Sequence, residues 1–361
     1  MLRALPRTAI AAAVLSLALV AAAPLPAAPP GDSYTVTPLA SDIPGVAPTL
    51  DANLVNGWGL ARSATSPWWV ADNGTDKTTI YNGAGVLQNI GGNPFQVVAG
   101  GPTGAVFSGI AGQFQVGTTT APTTLGTSNF VFASEDGKIR AWRGGSTAAL
   151  VTASGGPGAI YKGLAISNGA SGPRLYATDF HNARVDVFDG AWHSANVPGA
   201  FVDPELDAGY APFGIQTIGT RVFVTYAKQD ADAADEVAGQ GRGFVDAYDL
   251  TGNFLGRVAE HGQLNAPWGV AAAPASFGRF GGDVLVGNFG DGRIYAYAQE
   301  ADGSFAPRGT LRDADGKKLE IDGLWALEFG NAGSNGTPDQ LFFTAGPEDE
   351  SHGLFGTITA G

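Results

Sequence analysis

The 361-residue sequence contains no cysteine and a single methionine. Disulfides, thiolate zinc sites, iron–sulfur clusters and cysteine nucleophiles are therefore excluded. Basic residues are scarce: 20 Lys and Arg stand against 33 Asp and Glu, for a net charge of −13. A chain this acidic is a poor partner for nucleic acid or an anionic membrane surface. Long stretches of 3.6-residue periodicity are missing between Tyr34 and Gly361, so little helix is expected. The Gly-x-Ser-x-Gly elbow, the His-Glu-x-x-His helix and the phosphate loop are also missing, which argues against the common hydrolase and nucleotide-binding classes.

Glycine is plentiful, with 54 residues and no Gly-X-Y period, which points to many tight turns rather than collagen. The hydrophobic share of 44% is that of a globular chain. Residues 1–28 read as a secretory signal: Arg3 and Arg7, an apolar run from Ala9 to Ala23, then Pro24-Leu25-Pro26-Ala27-Ala28. The run is short and Ala-rich for a membrane span, so cleavage near Ala28 and no lasting membrane insertion are expected. The processed chain is expected outside the cytoplasm, secreted or periplasmic.

From Ser33 to Gly361, short runs of Val, Ile, Phe and Tyr alternate with Gly, Asp and Asn, the pattern of an all-β chain. One phrase recurs: a glycine, a branched aliphatic residue, then usually alanine. It is seen at Gly59, Gly109, Gly163, Gly214, Gly269 and Gly323, at spacings of 50, 54, 51, 55 and 54 residues. Each copy is followed by an apolar strand, a polar turn and a return strand, as in Phe130-Val131-Phe132-Ala133-Ser134 and Lys138-Ile139-Arg140-Ala141-Trp142. Six such units predict a six-bladed β-propeller with four-stranded blades, in one domain over 33–361. A sandwich or solenoid is the alternative. The glycines would lie in inner strands, where backbones crowd the axis. The sixth unit lacks a fourth strand, and Tyr34-Thr35-Val36-Thr37-Pro38-Leu39 is expected to supply it, hiding two open edges. The fourth unit carries a polar, Gly-rich insertion from Lys228 to Gly243, read as a flexible loop or lid beside the channel mouth.

The residues before the repeat glycines are Trp58, Ser108, Lys162, Phe213, Trp268 and Asp322. A channel mouth lined by Trp58, Lys162, Phe213, Trp268 and Asp322 suits a partly apolar organic ligand with polar handles, though such aromatics also serve simply to pack blades together. Asn56, Asn73, Asp179, Asn265, Asn288 and Asp322 come from several units and could converge on a hard cation such as Ca2+, which takes roughly 6–8 oxygen ligands. The same residues also occur in ordinary hairpin turns. His181 beside Asp179, and His352 with Glu348, are the candidates for general acid–base work.

The stretches Leu54-Val55-Asn56-Gly57-Trp58-Gly59, Thr178-Asp179-Phe180-His181-Asn182, Leu264-Asn265-Ala266-Pro267-Trp268-Gly269, Val286-Gly287-Asn288-Phe289-Gly290-Asp291-Gly292 and Ile321-Asp322-Gly323-Leu324-Trp325 resemble a family of secreted bacterial β-propellers. Its members are conserved hypothetical proteins, some with a PEP-CTERM sorting tail, which this sequence lacks. The resemblance covers nearly all of the chain after the signal and implies fold and compartment rather than an activity. A looser likeness runs to NHL-repeat, gluconolactonase-like and streptogramin-lyase-like propellers. It implies either partner binding or metal-dependent chemistry, and no catalytic motif of those groups maps onto this sequence. The expected function is binding of a small organic ligand or a protein partner at the channel mouth. The alternative is a divalent-metal-dependent lactonase, hydrolase or lyase.

Overall fold

The computed structural model describes residues 31–90, 93–118, 124–145 and 147–361. The signal segment expected over 1–28 lies outside them. Among the described residues no helix is long and apolar enough to cross a membrane.

Period-two alternation builds the blades. In Phe130–Ser134, Phe130 and Phe132 face the cluster that contains Trp69, while Val131 and Ala133 face the cluster that contains Leu175. A strand whose two faces are both apolar must lie between two sheets. Val284 and Val286 likewise face one neighbour and Leu285 the other. Six such sheets stand side by side. Blade 1 runs Gly57–Ala61, Trp68–Asp72, Lys77–Tyr81 and Val97–Val98, from the axis outward. Blade 2 runs Pro102–Phe107, Phe130–Ser134, Lys138–Trp142 and Leu150–Ser154. Blade 3 has Tyr161–Gly169, Gly172–Asp179 and Arg184–Asp189, with a single bridge from Phe188 to Ser194 in fourth place. Blade 4 runs Tyr210–Ile218, Arg221–Lys228, Phe244–Asp249 and Phe254–Glu260. Blade 5 runs Pro267–Ala272, Val284–Asn288, Ile294–Gln299 and Phe305–Thr310. Blade 6 starts with Leu324–Phe329, Leu341–Ala345 and Leu354–Ala360.

The N-terminal strand Tyr34–Ser41 completes blade 6. It pairs antiparallel with Leu354–Ala360, Val36 opposite Ile358, with one irregularity between Pro38 and Ala40. Thr49–Leu50 pairs outside this strand only at Ala40 and Ser41, so Pro38 has a neighbour on one side alone and is tolerated there. The expected closure is thus present, and the chain is a six-bladed propeller. Its core is divided among the seams between blades. The seam between blades 6 and 1 also takes in Trp58, Trp268, Trp325 and Phe213 near the axis.

The repeat glycines lie where inner strands meet. A Cβ on Gly163 would come within 2.8 Å of the Phe213 carbonyl oxygen, and one on Gly269 within 2.5 Å of that of Trp325. Threonine hydroxyls of second strands tie neighbouring blades: Thr178 donates to the Phe213 carbonyl at 2.7 Å, and Thr344 to that of Trp58. The phase of two repeats differs from the sequence reading. Gly109 lies beyond the inner strand with φ 53°, and Gly323 lies in the turn before Leu324 with φ 64°. Gly104 and Ala326 hold the inner-strand positions. A Cβ on Gly59 would face the carbonyl oxygen of Thr103, and Gly104 in turn faces Leu164.

Candidate functional site

With the phase corrected, the residues before the inner-strand repeat position are Trp58, Thr103, Lys162, Phe213, Trp268 and Trp325. Ser108 and Asp322 drop out of the ring. Trp325 escaped sequence reading because Ala326 replaces the repeat glycine. The indoles fill the axis. Trp58 and Trp325 stack at 3.8 Å between ring centroids, and Trp268 stands edge-on to both at 6.4 and 5.8 Å. Phe289 stacks on Trp325 at 4.1 Å, and Phe213 lies 5.8 Å from it. Indole N–H groups lock the plug: Trp325 Nε1 donates to Asn56 Oδ1 at 3.0 Å and Trp268 Nε1 to the Lys162 carbonyl at 3.1 Å. Below the plug, Leu60, Leu164, Ile215, Val270 and Leu327 enclose about 30 Å³, room for a single water at most. The pore is therefore a packed core at this level.

Above the plug lies a charge cluster. The Lys162 side chain is 1% exposed, yet its Nζ donates to Glu135 Oε1 at 2.6 Å and Asp235 Oδ1 at 2.8 Å. The same ammonium lies 5.1 Å from the Trp58 ring centroid. Burial works against the charged amine, but Glu135, Asp235 and Glu236 outweigh it and raise its pKa. Burial pushes the Glu236 carboxyl up to about 7, although Lys162 pulls the other way. Burial also raises Glu350, against a hydrogen bond from Asn56 Nδ2 at 2.6 Å. Two carboxylates contact the ammonium and two more, Glu236 and Glu350, act on it through space, so the cluster is net acidic.

Two local devices aim these groups. Glu348, Asp349 and Glu350 have φ of 56°, 53° and 64°, a full left-handed turn of non-glycine residues. Left-handed backbone costs about 1–2 kcal/mol per residue. The turn carries Glu350 inward to Asn56 and leaves Glu348 exposed. The second device is the insertion, which supplies Asp235 and Glu236. Far from hanging loose, it is fastened across three blades. Gln229 Nε2 donates to the Phe180 carbonyl at 2.6 Å, His181 Nδ1 lies 3.3 Å from the Ala233 carbonyl, and the Gly239 N–H donates to Asn265 Oδ1.

The other predicted residues are dispersed. Asp179 is buried and saturated by the Ile160 and Asn182 N–H groups, the Asn182 amide and Arg184. His181 turns from Asp179 to the insertion. His352 donates through Nδ1 to Asp42 Oδ2 at 2.7 Å, which raises its pKa, with Glu348 3.7 Å from the other ring nitrogen. Asp322 is exposed and accepts from the Glu348 N–H at 2.9 Å. Asn73 Nδ2 donates to Glu135 Oε2 at 3.0 Å. Asn288 donates to the Gln263 carbonyl and Asp291, and its Oδ1 is buried without a partner. This donor set does not fit a hard cation. The oxygens of Asn56, Asp179 and Asn265 are already engaged, and the Lys162 ammonium stands between the nearest carboxylates. Among the described residues no group of three or more His, Asp or Glu is placed to hold a metal.

Beside the cluster a groove of about 470 Å³ runs between blades 2 and 3. Glu135, Asp136, Lys138, His181 and Asp232 line it, together with Gly155, Gly156 and Gly158. Lys138 and Arg140 both pair with Asp136, at 2.8 and 2.6 Å, which leaves one positive charge against the two carboxylates Glu135 and Asp232, so the groove keeps a small acidic excess. Glu135 belongs to the groove and to the Lys162 cluster at once.

No family model matches the chain. An uncharacterised protein of Acanthamoeba polyphaga mimivirus is 29% identical over 343 residues, 90% of this chain and 80% of the relative. The apo form of the soluble aldose sugar dehydrogenase of Escherichia coli matches with a TM-score of 0.52 and 12% identity, over 91% of this chain and all of that one. A glucose dehydrogenase matches with a TM-score of 0.51 and 14% identity, over 91% of this chain and 100% of that one. At such identities the likeness to these solved structures is one of fold, and it places the chain among the β-propellers.

Proposed function

We propose that this chain is a binding propeller that captures a small, positively charged organic molecule on the face above the indole plug. Glu135 carries the reading: it lines the groove and also belongs to a cluster where four carboxylates face one ammonium. A cationic ligand in the groove gains from that excess charge, and the low-dielectric plug beneath focuses the field. The strained turn at Glu348–Glu350 supports the same reading, since backbone strain concentrates where a side chain must be aimed. The basic start and apolar run of residues 1–28 support action outside the cytoplasm.

The test is thermal stabilisation by butylammonium and glucosamine, against the neutral comparators pentanol and glucose. A ligand at 100-fold its Kd stabilises by about 2.7 kcal/mol. The cations should raise Tm, and E135Q with D232N should abolish the shift. Equal shifts from the neutral partners, or an unchanged shift in the double variant, would overturn the proposal.

A further inference from the structure

A second cavity shares no lining residue with the acidic groove and has the opposite charge. It measures about 350 Å³ and opens at the outer rim of blade 5. Its origin is local. The outer strand Phe305–Thr310 slips in register between Ala296 and Tyr297, so Tyr295 faces Thr310 but Tyr297 faces Pro307. Pro307 lacks an N–H, and Gly309 lacks a side chain, with φ 137°. The slip leaves one residue, Arg308, without a cross-strand partner opposite Ala296 and Tyr297.

The lining joins aromatic walls to a cationic rim. Tyr295 and Tyr297 are buried, and Phe280 closes one side. Arg279, Arg312 and Lys318 line the same space, and Asp32 is the acid there. In a chain of net charge −13, three cations around one cavity are a marked local reversal. None of the three has a carboxylate partner among the described residues. Arg312 and Lys318 also oppose each other directly, paired by an antiparallel bridge at the base of a short hairpin. Like charges across a strand pair are destabilising, and no described acid bridges this pair. Lys318 Nζ lies 5.9 Å from the Tyr295 ring centroid, so a charge placed there also meets a ring face. The Tyr297 ring is buried, while its hydroxyl is not itself buried and makes no hydrogen bond among the described residues. Arg312 Nη1 donates to the Gly316 carbonyl at 2.7 Å, but the three cations have no described carboxylate to balance them, and that calls for an acceptor carrying negative charge.

We propose that this cavity binds a small aromatic anion, its acidic group between Arg312 and Lys318 and its ring against Tyr295 and Tyr297. Arg and Lys satisfy a carboxylate or sulfonate through charge-assisted hydrogen bonds, and the volume suits one or two fused rings.

The experiment is calorimetric titration of the full chain with 2-naphthoate, with its neutral isostere 2-naphthamide, and with inorganic phosphate. Naphthoate should bind one to one, and the other two at least tenfold more weakly. R312Q with K318Q should lower naphthoate affinity at least tenfold while leaving Tm unchanged or raised, because the like-charge pair is relieved. Y297F should weaken binding without unfolding the blade. E135Q should leave naphthoate binding unchanged, which separates this site from the acidic groove. Equal binding of naphthamide would reduce the cavity to an apolar hole, and equal binding of phosphate to a plain anion site. Either result, or full affinity in R312Q/K318Q, would overturn the proposal.

Discussion

Replacing Lys162 by methionine tests the charge cluster most directly. Methionine nearly preserves volume and length, so the substitution removes the ammonium with little change in packing above Trp58. The lysine side chain is 1% exposed, with carboxylates at 2.6 and 2.8 Å. Breaking a buried pair by removing one partner costs about 3–5 kcal/mol. Glu135 and Asp235 are 38% and 70% exposed, so water softens the loss and the low end applies, about 3 kcal/mol. With an unfolding entropy of about 2 cal/mol/K per residue, that is a fall in Tm of about 4 °C. The sign with pH follows from the raised lysine pKa. The contribution is complete at all pH values below the ordinary lysine value and is lost only as pH rises through the higher folded value. The lysine keeps its charge from pH 6 to pH 9, but Glu236 ionises between them with Lys162 as its counter-charge, so K162M should be destabilised more at pH 9 than at pH 6. Lys138 provides the comparator, since it pairs with Asp136 at 2.8 Å but is 44% exposed. K138M should cost less than about 1 kcal/mol. Calorimetric Tm values for the wild type and both variants decide the matter. If K162M costs no more than K138M, the buried ammonium is not the counter-ion of the cluster.

Two further outcomes are expected. Glu328, at the lower mouth of the pore with Arg62 3.4 Å away, is pushed by burial from 4.5 up to about 7. Its neutral form is favoured in the folded state, so stability is greatest below the ordinary carboxyl value and falls as pH rises to about 7. E328Q should match wild type at pH 4 and exceed it by up to about 3 kcal/mol at pH 8, and a Tm difference constant across that range would refute the assignment. D349G should relieve one left-handed residue of the Glu348–Glu350 turn and stabilise by about 1 kcal/mol, read as a rise in the urea midpoint. A lowered midpoint would show that the turn carries no strain.

How far the sequence reads depends on the range of the interaction. Alternation along Phe130–Ser134 and the recurring glycines are local signals. A strand's face is set by its own side chains, and the approach of backbones near the axis demands a missing Cβ. In the second and sixth repeats the phrase at Gly109 and Gly323 imitates the true position, so the local pattern does not set their phase. Gly104 sits in a less typical phrase, and blade 6 uses Ala326. Trp325 was hidden for the same reason, although an indole so close to the Gly323 phrase was a usable signal. The groups of the acidic site were visible as residue types but not as neighbours. Glu135 comes from a hairpin of blade 2, Asp235 from an insertion in blade 4, and Glu350 from a turn in blade 6.

By itself, the amino-acid order determined an all-β ring of six sheets, closed by its own first strand, because side-chain period and open edges leave few other ways to bury these residues. Only the tertiary structure decided that the pore is stoppered by indoles and that one lysine answers four carboxylates. It also decided that a slipped outer strand opens a cationic cavity. Those features depend on distances between segments up to about 300 residues apart, such as Asn56 and Glu350, which no local pattern encodes.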